Sequence, residues 1–299
     1  MKFNTSFIAS CLLIIFIFCI TSCTSNNTTG KNTPSIAYPE PVPDSIAKIF
    51  LPGIVSKDGL DFNATFSPDG KTFYFSRSHN GKYLIYESSF TDNQWQEAII
   101  SPLFDTLYSN ADPFVAPDNA LYFISNRPAN KTDTTKDYDI YKMSTQANGY
   151  SAPEYLVGVN SDSTEYYVSV AKSGNIYFSS YRNANLDLYM SKKVANGYEE
   201  PVNLGAVINS VFDEHDPLIA PDESFLVYTS TRSDGFGEAD LYITHKKNGQ
   251  WNNPQNMGID INTKAYEYCP YLSPDGHYFF YSSEHEVKWI GSDILKERK

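Results

Sequence analysis

Cysteine is nearly absent from most of the chain: of four, Cys11, Cys19 and Cys23 lie at the N-terminus and Cys269 stands alone. A domain folded from the later residues therefore has no disulfide of its own and must be held by its hydrophobic core. Basic residues are also scarce, 23 Lys and Arg against 35 Asp and Glu, for a net charge of -12. That balance argues against binding nucleic acid or anionic lipid headgroups, and it keeps the chain soluble. No long apolar run occurs after Ile20, and nothing from residue 46 onward has helical periodicity. Missing too are a Ser-His-Asp arrangement, a zinc-spaced histidine cluster, a phosphate loop and a compact calcium loop, so no cofactor or metal is expected. What the chain has in quantity is aromatic residues, 15% of the total, with 23 tyrosines.

The N-terminus reads as an export signal. Lys2 precedes an apolar run from Phe7 to Ile20 that is shorter than the roughly twenty residues needed to cross a bilayer. Ile20-Thr21-Ser22-Cys23 resembles a bacterial lipobox, loosely at Ile20 and Thr21. That resemblance implies a signal peptide over 1–22 and lipidation of Cys23, the alternatives being an ordinary signal peptide with Cys23 incidental or an uncleaved membrane span. Residues 23–45 are rich in Ser, Asn, Thr and Pro, the composition of a flexible tether.

Residues 46–299 contain five copies of one unit. The clearest runs from Asp61 to Ser76, DFNATFSPDGKTFYFS, and the others start at Asn110, Glu165, Glu214 and Glu267. Each has a tight turn, at Pro68-Asp69-Gly70, Pro117-Asp118-Asn119, Lys172-Ser173-Gly174, Pro221-Asp222-Glu223 and Pro274-Asp275-Gly276, spaced 49, 55, 49 and 53 residues apart. That spacing is the length of a four-stranded propeller blade. A short strand precedes the turn and an aromatic strand follows it, such as Phe73-Tyr74-Phe75 or Ile176-Tyr177-Phe178. The third strand carries Asp139-Ile140-Tyr141, Asp187-Leu188-Tyr189 or Asp240-Leu241-Tyr242, with variants at Leu84-Ile85-Tyr86 and Asp293-Ile294-Leu295. A fourth follows an Asn-Gly turn and an aromatic, as at Asn148-Gly149-Tyr150. The fifth unit ends before its fourth strand, and Ile46 to Pro52 precedes the first unit where such a strand belongs. Closing the ring with it gives an all-β, five-bladed propeller without an open edge. Six blades would need about fifty more residues than remain.

The Ser-Pro-Asp-Gly turn, the aromatic strand and the Asp-Ile/Leu-Tyr strand resemble the TolB-type, WD40-like propeller repeat over residues 46–299. Asn203-Leu204-Gly205-Ala206-Val207-Ile208-Asn209 is similar to repeats in envelope lipoproteins and peptidoglycan-associated proteins of the Bacteroidetes. The third copy departs from the pattern at Lys172-Ser173. The resemblance implies an outer-membrane lipoprotein that binds an envelope protein or a glycan. Thr24-Ser25-Asn26-Asn27 lacks the acidic cluster that resembles a surface-export signal, which favours the periplasmic face.

Aligning the units on their turns yields two columns of candidate site residues. Asp61, Asn110, Glu165, Glu214 and Glu267 open the first strands, while His79, Arg127, Arg182, Arg232 and His285 close the second. Centring each hairpin on its turn places every acidic or amide residue directly opposite a basic one. Such pairs stabilise each blade by roughly 0.2–1 kcal/mol, or line a ligand-binding channel face. Two residues further on stand Asn63, Asp112, Tyr167, Asp216 and Cys269, a column that varies from blade to blade as a specific site would. Asp112, Asp216 and Glu214 form a candidate carboxylate cluster, with calcium as a lesser alternative.

A glycosidase is the competing function, with Asp61, Asp112, Asp216, Glu214 and Glu267 as candidate acid, base or nucleophile. Most of these belong to the repeat, whereas a catalytic pair stands out as an exception to it. The expected function is therefore non-catalytic binding. Cys269 is expected as a buried thiol, and Trp95, Trp251 and Trp289 as blade core, with Trp289 the least certain for its irregular surroundings.

Overall fold

The computed structural model describes Met1 and residues 36–57 and 59–296. Apart from Met1, the segment expected as a signal peptide lies outside the described residues, as do Cys23 and residues 24–35 of the expected tether.

Five antiparallel sheets form the five blades expected. From inner to outer strand, blade 1 is Asp61–Phe66, Thr72–His79, Lys82–Thr91 and Ile99–Ile100. Blade 2 is Asn110–Val115, Leu121–Ser125, Asp139–Met143 and Glu154–Tyr155. Blade 3 is Glu165–Val170, Ile176–Asn183, Asn185–Ser191 and Val202–Asn203. Blade 4 is Glu214–Ile219, Phe225–Ser230, Asp240–Lys247 and Gln255–Asn256. Blade 5 is Tyr268–Leu272, Tyr278–Ser283 and Glu286–Gly291, and its outer strand is the N-terminal Lys48–Ile49. The inner strands neighbour one another in turn and the fifth returns to the first, so the ring closes.

The five turns share one conformation. Gly70, Asn119, Gly174, Glu223 and Gly276 all have φ between 61° and 85°, the left-handed region that glycine and asparagine enter most readily. Glu223 is the exception, and contacts of its own hold it there. Its carboxylate accepts from Ser173 Oγ at 2.5 Å, Asn175 Nδ2 at 2.9 Å and Tyr177 Oη at 2.9 Å, fastening blade 4 to blade 3. The departure at Lys172-Ser173 is thus matched by a departure in the next blade. The aromatic strands fill the core: Phe73, Phe75, Phe123, Phe178, Tyr228, Phe279 and Phe280 are fully buried.

Two differences from the sequence expectations concern blade 5 and the tether. The third strand of blade 5 is Glu286–Gly291, and Asp293-Ile294-Leu295, expected as that strand, forms a 3-10 turn. The reason is a tight hairpin, with Glu284 at φ 54° and His285 at φ 67°, that starts the strand at once. Trp289 then pairs with Phe280 in the register where Tyr141 pairs with Phe123 and Tyr189 with Phe178. It is the aromatic of the repeat, displaced in sequence. The last part of the span read as tether also packs on blades 1 and 5. Tyr38 stacks on Trp289 at 5.7 Å and donates to Asp275 at 2.9 Å, while Trp95 Nε1 donates to the Ala37 carbonyl at 2.8 Å.

The recurring asparagines close the blade edges. Asn209 Oδ1 accepts from Leu188 N at 2.9 Å and its Nδ2 donates to Leu188 O at 3.0 Å, imitating a paired backbone; Asn262 on Leu241 and Asn160 on Ile140 do the same. Asn203 and Asn256 hold Asp187 and Asp240 of the third strands. In blade 2 Tyr155 stands at this position, and Asp139 keeps a buried Oδ1 without a hydrogen-bond partner.

Burial, and then the charge of Asp137, push the Asp139 carboxyl up to about 7. A carboxyl raised in the folded state contributes stability that is complete below its unfolded value of about 3.9 and is lost as pH rises toward 7. Asp139→Asn should therefore raise the melting temperature more at pH 8 than at pH 4.5. Thermal melts across that range check this; a gain that is flat or shrinks with pH refutes it.

Candidate functional site

Each inner strand carries a β-bulge. The register slips between Phe62 and Thr65, Ala111 and Phe114, Tyr166 and Val168, His215 and Leu218, and Tyr268 and Tyr271. The slip falls at Asn63, Asp112, Tyr167, Asp216 and Cys269, whose φ values lie between 39° and 64°. Bulges bend the strand and re-aim its side chains. Pro113, Pro217 and Pro270 follow three of them, where the ladder is already broken and a missing N–H costs little. Hydroxyls of the preceding blade hold the bulges: Ser76 Oγ accepts from Asp112 N at 2.9 Å, Ser179 Oγ from Asp216 N at 3.0 Å and Ser282 Oγ from Asn63 N at 3.0 Å.

The slip corrects the expected pairing of the first column. Asp61 faces Arg77 rather than His79, and Asn110, Glu165 and Glu214 face Ser125, Ser180 and Ser230. Arg127, Arg182 and Arg232 reach back diagonally, to Asn110 at 3.0 Å, Glu165 at 3.1 Å and Glu214 at 3.3 Å. Their guanidinium groups lie over ring faces, as Arg182 does over Phe178 and Tyr189. His285 sits in the hairpin turn of blade 5, and Glu267 is held by Thr263 and Ser283 instead.

Asp61, Asn110, Glu165, Glu214 and Glu267 are all fully buried. The four acids fasten the loop that enters their own strand: Asp61 accepts from Lys57 N, Glu165 from Ser161 N, Glu214 from Ser210 N and Glu267 from Thr263 N, each four residues upstream. Neither they nor the three arginines line the pocket on the propeller axis. Tyr167 is likewise enclosed, its hydroxyl donating to Pro270 O at 2.6 Å.

Asp112 and Asp216 do reach a cavity, of about 340 Å³, at the end of the axis where the inner strands begin. Its floor is Asp112, Asp216 and Cys269. The Cys269 sulfur lies 3.4 Å from Asp216 Oδ2 and 4.0 Å from Asp112 Oδ1, and Cys269 N donates to Asp216 at 3.1 Å. Burial, and then the charge of Asp216, push the Asp112 carboxyl well above the usual carboxylate range. Burial and the two carboxylates push the Cys269 thiol up as well, so it stays protonated.

The wall was not foreseen from the sequence. One arc is Tyr83, Phe62, Tyr268 and Tyr266, each ring within 6 Å of the next, and Tyr266 stacks on His215 at 5.7 Å. A second arc is Tyr138, Tyr166 and Tyr181, at 6.1 and 6.2 Å. His215 donates or accepts at Tyr266 Oη, 2.6 Å away, and its other ring nitrogen is 3.2 Å from Asp216. No Lys or Arg is among the lining residues. Phe62, Tyr166, His215 and Tyr268 each directly precede a bulge residue, so a third aligned column, one position before the variable one, was the available signal.

These features define the protein's class: a five-bladed β-propeller with one aromatic-walled, acid-floored pocket on its axis. No protein-family model and no curated protein matches the sequence. Solved structures that resemble it include TolB from Acinetobacter baumannii, 13% identical with a TM-score of 0.47, covering 79% of this chain and 55% of that one. A gluconolactonase from Xanthomonas campestris is 10% identical with a TM-score of 0.49, covering 84% and 96%. The tricorn protease is 13% identical with a TM-score of 0.49, covering 81% of this chain and 22% of that one. The chain thus spans about half the length of TolB, and at these identities the likeness concerns the fold alone.

Proposed function

We propose that this chain is a non-catalytic bacterial envelope lipoprotein, lipidated at Cys23 and held on the periplasmic face of the outer membrane, whose propeller binds a protein or glycan partner at the axial pocket. The pocket itself carries the reading. It is concave, rich in aromatic side chains, and has a few convergent polar groups, the general make-up of a ligand site, and about 340 Å³ admits one sugar ring or one side chain. The lipobox resemblance supports the anchor.

Glycoside hydrolysis is the second reading, favoured by one observation: Asp112 and Asp216 have no Lys or Arg partner, and burial raises the Asp112 carboxyl, the direction a general acid requires. It ranks lower because both carboxylates lie against the Cys269 sulfur, 4.0 Å from Asp112 Oδ1 and 3.4 Å from Asp216 Oδ2, rather than facing an open space.

The test is a capture experiment from detergent-solubilised envelopes with the full chain and a Tyr166→Ala/Tyr268→Ala variant, alongside fractionation of a Cys23→Ser chain. A partner or glycan retained by the wild type and lost with the tyrosines is the expected result, and Cys23→Ser should leave the membrane fraction. Turnover of glycans that disappears in Asp112→Asn would replace binding with hydrolysis, and capture unaffected by the tyrosines would remove the pocket from the function.

A further inference from the structure

Building on the binding reading above, we propose that the axial pocket takes a small organic cation, an ammonium group enclosed by the tyrosine wall and neutralised by Asp112 and Asp216. The floor is rich in acceptors and poor in donors. Asp112 is 6% exposed and lines the pocket, yet its carboxylate has only the Tyr167 N–H and the distant Cys269 thiol for partners.

The other buried acids of the inner strands differ. Asp61, Glu165 and Glu214 each have an arginine, and Glu267 has two hydroxyls and a backbone N–H. Among the described residues, the pocket floor sets two carboxylates against one sulfur without a Lys or Arg, His215 Nδ1 lying 3.2 Å from Asp216. Both carboxylates lie within about 4 Å of one thiol sulfur, so a single bound cation would meet two acids at once. Above them are tyrosine rings, whose π faces attract cations by about 0.5–2 kcal/mol each when desolvated. An acidic molecule also concentrates cations at its surface.

The pocket suits an organic cation better than a metal ion. Among the described residues no three of His, Cys, Asp and Glu converge to hold a metal. The space is larger than an ion, and its wall is made of aromatic rings rather than of carboxylate and carbonyl oxygens.

Calorimetry on the full chain tests this with two matched pairs of probes: choline against its neutral isostere 3,3-dimethyl-1-butanol, and glucosamine against glucose as a ring-bearing pair. The cations should bind at least tenfold more tightly than the neutral partner of each, and Asp112→Asn should weaken them at least tenfold. Circular dichroism on Asp112→Asn establishes that it is folded, and Asp216→Asn serves as the second variant. Equal binding of charged and neutral probes, cation binding that survives in Asp112→Asn, or no cation binding at all overturns the cation. Equal binding of glucose and glucosamine, lost in Tyr166→Ala/Tyr268→Ala, leaves the pocket as a glycan site while the cation fails. Should no probe bind and the tyrosine variant still capture the envelope partner, both readings fall.

Discussion

A chain beginning at Gly53 will show no cooperative unfolding transition at 25 °C, whereas one beginning at Asp44 will keep it with a lower midpoint. The longer truncation removes Lys48 and Ile49, which pair with Trp289 and Lys288, and leaves the third strand of blade 5 as an open edge. It also removes Phe50, fully buried against Phe66, Phe73, Phe280 and Trp289, and the buried Leu51. Losing a buried Phe or Leu side chain costs about 2–5 kcal/mol each, and the total stability of a domain is about 5–15 kcal/mol. The shorter truncation loses the Tyr38 stacking and the Ala37 carbonyl contact but keeps the closing strand. Urea denaturation followed by tryptophan fluorescence and circular dichroism reads both. A sharp transition near the wild-type midpoint for the Gly53 chain would show that the ring holds without its N-terminal strand.

Trp289→Ala should cost about 3–5 kcal/mol, the usual loss for deleting a large buried aromatic. Trp289 is 1% exposed, and its ring meets Tyr38, Phe50, Tyr278 and Phe280 at centroid distances of 4.8 to 5.9 Å. It joins two segments that are distant in sequence, the N-terminal stretch carrying Tyr38 and Phe50 and the strands of blade 5. Trp289→Phe should recover more than half of the loss, because an aromatic at this register is what the other blades have in Tyr141 and Tyr189. Equilibrium unfolding in urea decides the matter. A loss below about 1 kcal/mol for the alanine variant would mean that blade 5 repacks without its aromatic.

The blade count, the strand order and the closing strand were legible because each depends on local signals repeated at a regular spacing. A Pro-Asp-Gly turn marks a hairpin wherever it occurs, and Ile46 to Pro52 was recognisable by its place in the order. Blade 5 shows the limit of that logic. Asp293-Ile294-Leu295 has the letters of a third strand, but Glu284 and His285 turn the chain early, and Trp289 takes the aromatic position. The bulges were legible in part, since Asp112-Pro113, Asp216-Pro217 and Cys269-Pro270 place a proline beside the varying column.

By itself, then, the sequence determined a five-bladed propeller closed by its N-terminal strand, and it singled out Asp112 and Asp216 as departures from the repeat. Only the tertiary structure decided the rest: that the charged column is buried stapling, that Arg77 and not His79 meets Asp61, and that seven aromatic rings wall a pocket above two carboxylates and a thiol. The physical reason lies in the range of the interactions. A turn or a strand answers to its immediate neighbours along the chain, while a cavity on the axis is the space left where five strand ends, a bulge in each and loops from every side converge.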